Sequence, residues 1–124
     1  MTKKEILIVE DESDIRSLLK KFLEGKGYSI TLAGDGRSAA EILKANSFDL
    51  LIIDALLPGE HGMDLINMKG NNFITPIILV SGIYDENEIV EMMKDPNVKY
   101  FAKKPFDLTD LHEKIEAAIN EAQV

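Results

Sequence analysis

Residues 48 to 62 read FDLLIIDALLPGEHG. Leu50 to Ile53 is apolar without alternation, the pattern of a strand covered on both faces, and Pro58-Gly59 marks a turn beyond it. Asp54 stands where that buried run emerges, with no basic residue beside it. A carboxylate in such a place is either a solvated loop residue or helix cap, or one member of a chemical site. Its partners decide between these.

Four further strand-like runs flank this one, at Ile6–Val9, Ser29–Ala33, Ile77–Val80 and Tyr100–Ala102. Helical patterns lie between them. Ile15, Leu18, Leu19, Phe22 and Leu23 form a stripe closed by Gly25 and Gly27. Ala39, Ala40 and Leu43 form a second, capped upstream by Asp35 or Ser38. Leu108, Leu111, Ile115, Ala118 and Ile119 form the last, with Asp107 or Thr109 as N-cap. Shorter helices are expected over 62–69 and 85–94. Strands alternating with helices imply an α/β fold, a doubly wound five-stranded parallel sheet with helices on both faces. In such sheets ligands bind at the carboxyl ends of the strands, near the point where strand order reverses.

The 124 residues, 45% of them hydrophobic, suit a single domain spanning 1–124, with no output domain expected within it. No apolar segment approaches the roughly 18 to 20 residues that span a bilayer. The start, MTKKEILIVED, lacks the long apolar stretch of a signal peptide, so the expected location is cytoplasmic, with no membrane partner. The absence of cysteine excludes disulfides and thiolate chemistry, and two histidines, His61 and His112, are too few for a histidine-rich metal site. Both histidines are read as surface residues. A net charge of −8 disfavours direct nucleic-acid binding, which needs a basic face to neutralise phosphates.

At the strand ends the chemistry converges. The first run ends in Glu10-Asp11, the third in Asp54, the fourth in Ser81-Gly82, and the fifth leads into Lys103-Lys104-Pro105. Two carboxylates about 5 Å apart repel by roughly 3 kcal/mol at an effective dielectric near 20. One lysine does not balance three acids, whereas a hard divalent ion does. Oxygen-only ligands with few direct carboxylates favour Mg²⁺, with calcium and manganese as alternatives.

In order and spacing, LIVEDE, LLIIDALLPGEHG, ILVSG and FAKKPF resemble the receiver domain of bacterial response regulators, over essentially the whole chain from Ile6 to Ile119. The resemblance implies the CheY-like, flavodoxin-like strand order 2-1-3-4-5. It implies that Asp54 is the phosphoacceptor, that Glu10 and Asp11 are the acidic pair of a Mg²⁺ site with Asp11 the more direct ligand, and that Asp54 and the backbone carbonyl of Leu56 complete the protein ligands. Ser81 matches the hydroxyl that contacts the phosphoryl group, Lys104 the lysine that pairs with it, and Phe101 the aromatic switch position. The implied partners are a sensor histidine kinase or histidine phosphotransfer protein, which supplies a phosphohistidine, and an unknown downstream target protein. Leu56 and Ile83, both apolar, border the site in this family and imply slow self-dephosphorylation.

Three rivals remain in view. A haloacid-dehalogenase-like hydrolase needs a second Asp two residues after the first, where this chain has Leu56. A flavodoxin needs a glycine- and hydroxyl-rich loop after the first strand, where this chain has EDESD. A degenerate receiver acting only as a protein-interaction module needs none of the acids, Ser81 or Lys104.

Overall fold

The backbone of this computed structural model is described over residues 2–57, 60–61, 65, 73–82 and 86–122. Five parallel strands carry the fold: β1 (Glu5–Val9), β2 (Ser29–Ala33), β3 (Leu50–Asp54), β6 (Ile77–Ser81) and β7 (Val98–Lys103). Two short strands, β4 (Leu56–Leu57) and β5 (Glu60–His61), pair antiparallel beside them. The sheet order is β2-β1-β3-β6-β7, so the five main strands run 2-1-3-4-5 as the resemblance implies. The helices are α1 (Ser13–Gly25), α2 (Gly36–Ala45), α3 (Glu86–Met93) and α4 (Leu108–Ala122). Of the helix expected over 62–69, only Leu65 lies among the described residues; it is helical and buried.

Strand parity sorts the core into two halves. Ile6, Ile8, Leu50, Ile52, Ile78 and Val80 pack on one face with Leu19 and Leu23 of α1 and Leu111, Ile115 and Ile119 of α4. Leu7, Val9, Leu51, Ile53, Ile77 and Leu79 pack on the other with Ala39 of α2 and Ile89 and Met92 of α3. Covering both faces is why the central runs are continuously apolar, and each fully buried Leu or Ile contributes roughly 1.5–3 kcal/mol.

Both helix-start alternatives resolve to the aspartate. Asp35 accepts from the Ser38 N–H at 2.7 Å, and Asp107 from the Asp110 N–H at 3.0 Å. The first N–H groups of a helix have no partner within it, and a short carboxylate reaches them directly. At the end of α1 the N–H of Gly27 donates to Glu24 O and that of Tyr28 to Leu23 O, and Gly27 takes φ +98°, open to glycine without strain.

Two expectations change. Leu18 is half exposed, because at 100° per residue it lies about 120° from the line through Leu19 and Leu23 that faces the sheet. His112 is no plain surface residue: α4 brings its ring edge-on to Phe22 at 6.2 Å and to Tyr28 at 5.8 Å. The side chain of His61 lies outside the described set.

Candidate functional site

Strands β3, β6 and β7 end one step later than their apolar runs, and that step places the site. Asp54 is the last residue of β3, in register with Val80, and Ser81 is the last of β6, in register with Lys103. Glu10 follows β1 directly, its N–H bonded to Ala33 O at 3.0 Å. Asp54, Ser81 and Glu10 are therefore held by ladder hydrogen bonds rather than by loops. They are the three buried polar or charged residues among those described, at 4%, 1% and 1% exposure.

Lys104 joins them. Its N–H bonds to Ser81 O at 2.8 Å, continuing the ladder past β7 and aiming the side chain across the sheet edge. Its ammonium donates to Asp54 Oδ2 at 3.0 Å, forms an ion pair with Glu10 Oε1, and stands 3.6 Å from Glu12 Oε1. The Glu10 contact is a charge contact without hydrogen-bond alignment, so this buried oxygen has no aligned donor. Glu10 Oε2 accepts from the Glu12 N–H at 3.2 Å.

The Glu10 carboxyl is raised to about 7, above all by burial; Lys104 and the Glu12 N–H work against the rise, and Asp11 and Asp54 add to it. Burial works against the Lys104 ammonium too, but Glu10 and Asp54 outweigh it and hold its pKa above the ordinary lysine value. A retained ammonium thus bridges two acids that resist sharing a dry site.

Glu10, Asp11 and Glu12 bring carboxylate oxygens within 4.8 Å of one another. This all-oxygen set, with a buried carboxylate oxygen lacking an aligned donor, fits a small hard cation such as Mg²⁺. Glu12 was not singled out from the sequence, though the run EDE was its signal. The chain turns from strand to helix there, and Glu12, the α1 N-cap residue, makes no capping bond with its side chain. Three consecutive acids thereby gather instead of alternating.

Phe101, on β7, is partly buried against the core half containing Ile53, Leu79 and Ile89. Leu56 lies in β4, two residues past Asp54, and Ile83 lies outside the described residues. Lys103 is exposed.

An acid at the end of β3, acids after β1, a hydroxyl at the end of β6 and a lysine after β7 occupy one edge of a 2-1-3-4-5 sheet, and residues 6–116 match the family described as response regulator receiver domain. The chain belongs to the response regulator receiver domains. Among its relatives, this receiver is 34% identical over 116 residues to the transcriptional regulatory protein PdtaR of Mycobacterium tuberculosis, covering 93% of this chain and 56% of that protein. It is 32% identical to protein PetR of Rhodobacter capsulatus, covering 92% of this chain and 48% of that one. The receiver thus spans about half the length of the curated relatives it matches. Among solved structures, a CheY-like response regulator receiver domain protein from Methanospirillum hungatei superposes with a TM-score of 0.91 at 26% identity, covering 98% of each chain. A response regulator receiver protein from Pseudomonas putida gives 0.88 at 29%, covering 94% of this chain and 98% of that one. Receivers are signalling modules of two-component systems. No helix among the described residues of this one is long and apolar enough to cross a membrane.

Proposed function

We propose that this receiver accepts a phosphoryl group on Asp54 from the phosphohistidine of a sensor histidine kinase or histidine phosphotransfer protein, and that the modification switches a surface read by a downstream protein. The observation that carries the reading is the Lys104 ammonium bridging Asp54 and Glu10, both buried at the strand ends. Structural acids are seldom buried together; here the arrangement sets a carboxylate nucleophile directly against a cation.

An Asp54 carboxylate oxygen attacks phosphorus, the P–N bond to the donor imidazole breaks, and the imidazole leaves with its electron pair. Phosphoryl transfer asks little covalent help of a protein and much positioning and charge neutralisation. β3 fixes the nucleophile, and Lys104, already against Asp54, pairs with the added phosphoryl oxygens. Ser81 Oγ donates to the phosphoryl group, and Phe101 follows it inward as the switch. Glu10, Asp11, Asp54 and the Leu56 carbonyl would hold Mg²⁺, which when bound offsets negative charge on the transferring group. The apolar Leu56 side chain offers no hydrogen bond to orient an attacking water, so the aspartyl phosphate decays slowly.

The test is intact mass after incubation with Mg²⁺ and acetyl phosphate. One labile phosphoryl group on the wild type and none on Asp54→Asn is expected. Equal labelling of both, or none on either, sinks the assignment, the latter in favour of a receiver that acts only by protein interaction.

A further inference from the structure

The loop that carries Glu10, Asp11 and Glu12 is held from outside the site by Arg16. Its Nη1 donates to the Glu10 backbone carbonyl at 2.7 Å, and its backbone N–H bonds to Glu12 O at 3.0 Å in the first turn of α1. The Glu10 N–H is tied to Ala33 O. Both backbone groups of Glu10 are therefore fixed, one by the sheet and one by a cation. The Glu10 carbonyl belongs to the planar peptide that leads into Asp11, so its direction sets where the Asp11 carboxylate starts.

The facing strand end leaves room for this. A Cβ on Gly34 would stand 3.3 Å from Arg16 Nη1 and 3.7 Å from Cζ, close enough that the guanidinium would have to give way. The Gly34 backbone is outside the left-handed region, so the missing side chain serves space rather than conformation. Arg16 reaches the acids through their backbone, at the Glu10 and Glu12 carbonyls.

We infer that Arg16, seated in the space left by Gly34, is a positioning residue for the acidic loop and sets its affinity for a divalent cation. The inference rests on the phosphoacceptor reading of the site. Partners that orient metal ligands from behind commonly alter metal affinity by 10- to 100-fold when removed. Arginine suits the role because its charge persists at every working pH and its planar fork keeps direction where a lysine swivels.

The experiment titrates Mg²⁺ into wild type, Arg16→Gln, Arg16→Lys, Gly34→Ala and the Arg16→Gln/Gly34→Ala double variant. Binding is read from the amide NMR signals of Asp11 and Glu12, with thermal midpoints recorded alongside. Arg16→Gln is expected to weaken Mg²⁺ binding about tenfold, and Gly34→Ala to weaken it less, in the same direction. The double variant should bind no more weakly than Arg16→Gln alone, since Gly34 acts only through the guanidinium. Phosphorylation by acetyl phosphate should need more Mg²⁺ in Arg16→Gln yet return to within about twofold of the wild-type rate at saturation, a split that a general loss of folding does not produce. Unchanged Mg²⁺ affinity in Arg16→Gln, wild-type affinity in Arg16→Lys, or additive losses in the double variant would overturn the inference while leaving the phosphoacceptor reading intact. A wild type that binds no Mg²⁺ overturns the site reading and this inference with it.

Discussion

Replacing Lys104 by methionine keeps an unbranched stem of similar length and removes only the ammonium. In the folded protein that ammonium lies 3.0 Å from Asp54 Oδ2 and against Glu10 Oε1, with side-chain exposures of 12% for Lys104, 6% for Asp54 and 1% for Glu10. At 3.0 Å and an effective dielectric near 20 the Asp54 attraction alone is about 5.5 kcal/mol, opposed by the cost of taking both ions out of water. Deleting one member of such a buried set leaves uncompensated charge, which typically destabilises by about 3–5 kcal/mol. Here Glu10 can relieve part of it by taking up a proton, since burial already raises its pKa to about 7. The expected loss near pH 8 is therefore about 3 kcal/mol at the lower end of that range. Urea unfolding with a chelator present measures it, and the m-value should not change. In a cycle with Asp54→Asn, the two substitutions should couple by more than about 1 kcal/mol, because the asparagine removes one of the two stranded charges. A loss below about 1 kcal/mol for Lys104→Met, or additivity with Asp54→Asn, would refute the picture of a buried ammonium shared by two acids.

Gly82→Ala should leave stability unchanged or raise it by about 0.5 kcal/mol, since the new Cβ would meet Lys104 Cβ at 3.5 Å and Cδ at 3.6 Å, ordinary contact distances, while the unfolded chain loses freedom. A clear loss in urea unfolding would show that the glycine is required there. Asp35→Ala should lower the thermal midpoint at pH 7, and the deficit should shrink on acidification. The Ser38 N–H, the largest influence, holds the Asp35 carboxyl below its ordinary value in the folded state, so its contribution is present above the unfolded pKa and is lost as pH falls through the folded one. A deficit independent of pH would contradict a charge-dependent cap.

How much of this was legible beforehand differs by element. Leu50 to Ile53 announces a strand buried on both faces because no polar residue interrupts it, and all four residues are buried with their sides alternating between the two core halves. Asp35 and Asp107 were readable as caps because capping is local, a matter of three residues. Leu18 and His112 were misread because a stripe's width and a neighbouring helix's path are not properties of one segment.

The sequence by itself determined which residues reach the carboxyl edge of the sheet, since apolar runs end where polar residues begin and parallel strands end on one side. It also identified the family, through four short motifs in order. Only the tertiary structure decided the electrostatics of the site. Lys104 meets Asp54 across 50 positions because the register of β6 on β3 and β7 on β6 brings those strand ends level, and register is a through-space property of paired strands. The same holds for Glu12 joining Glu10 and Asp11, and for Arg16 reaching the Glu10 carbonyl. Both depend on the angle at which the chain leaves β1 and enters α1, which periodicity does not encode.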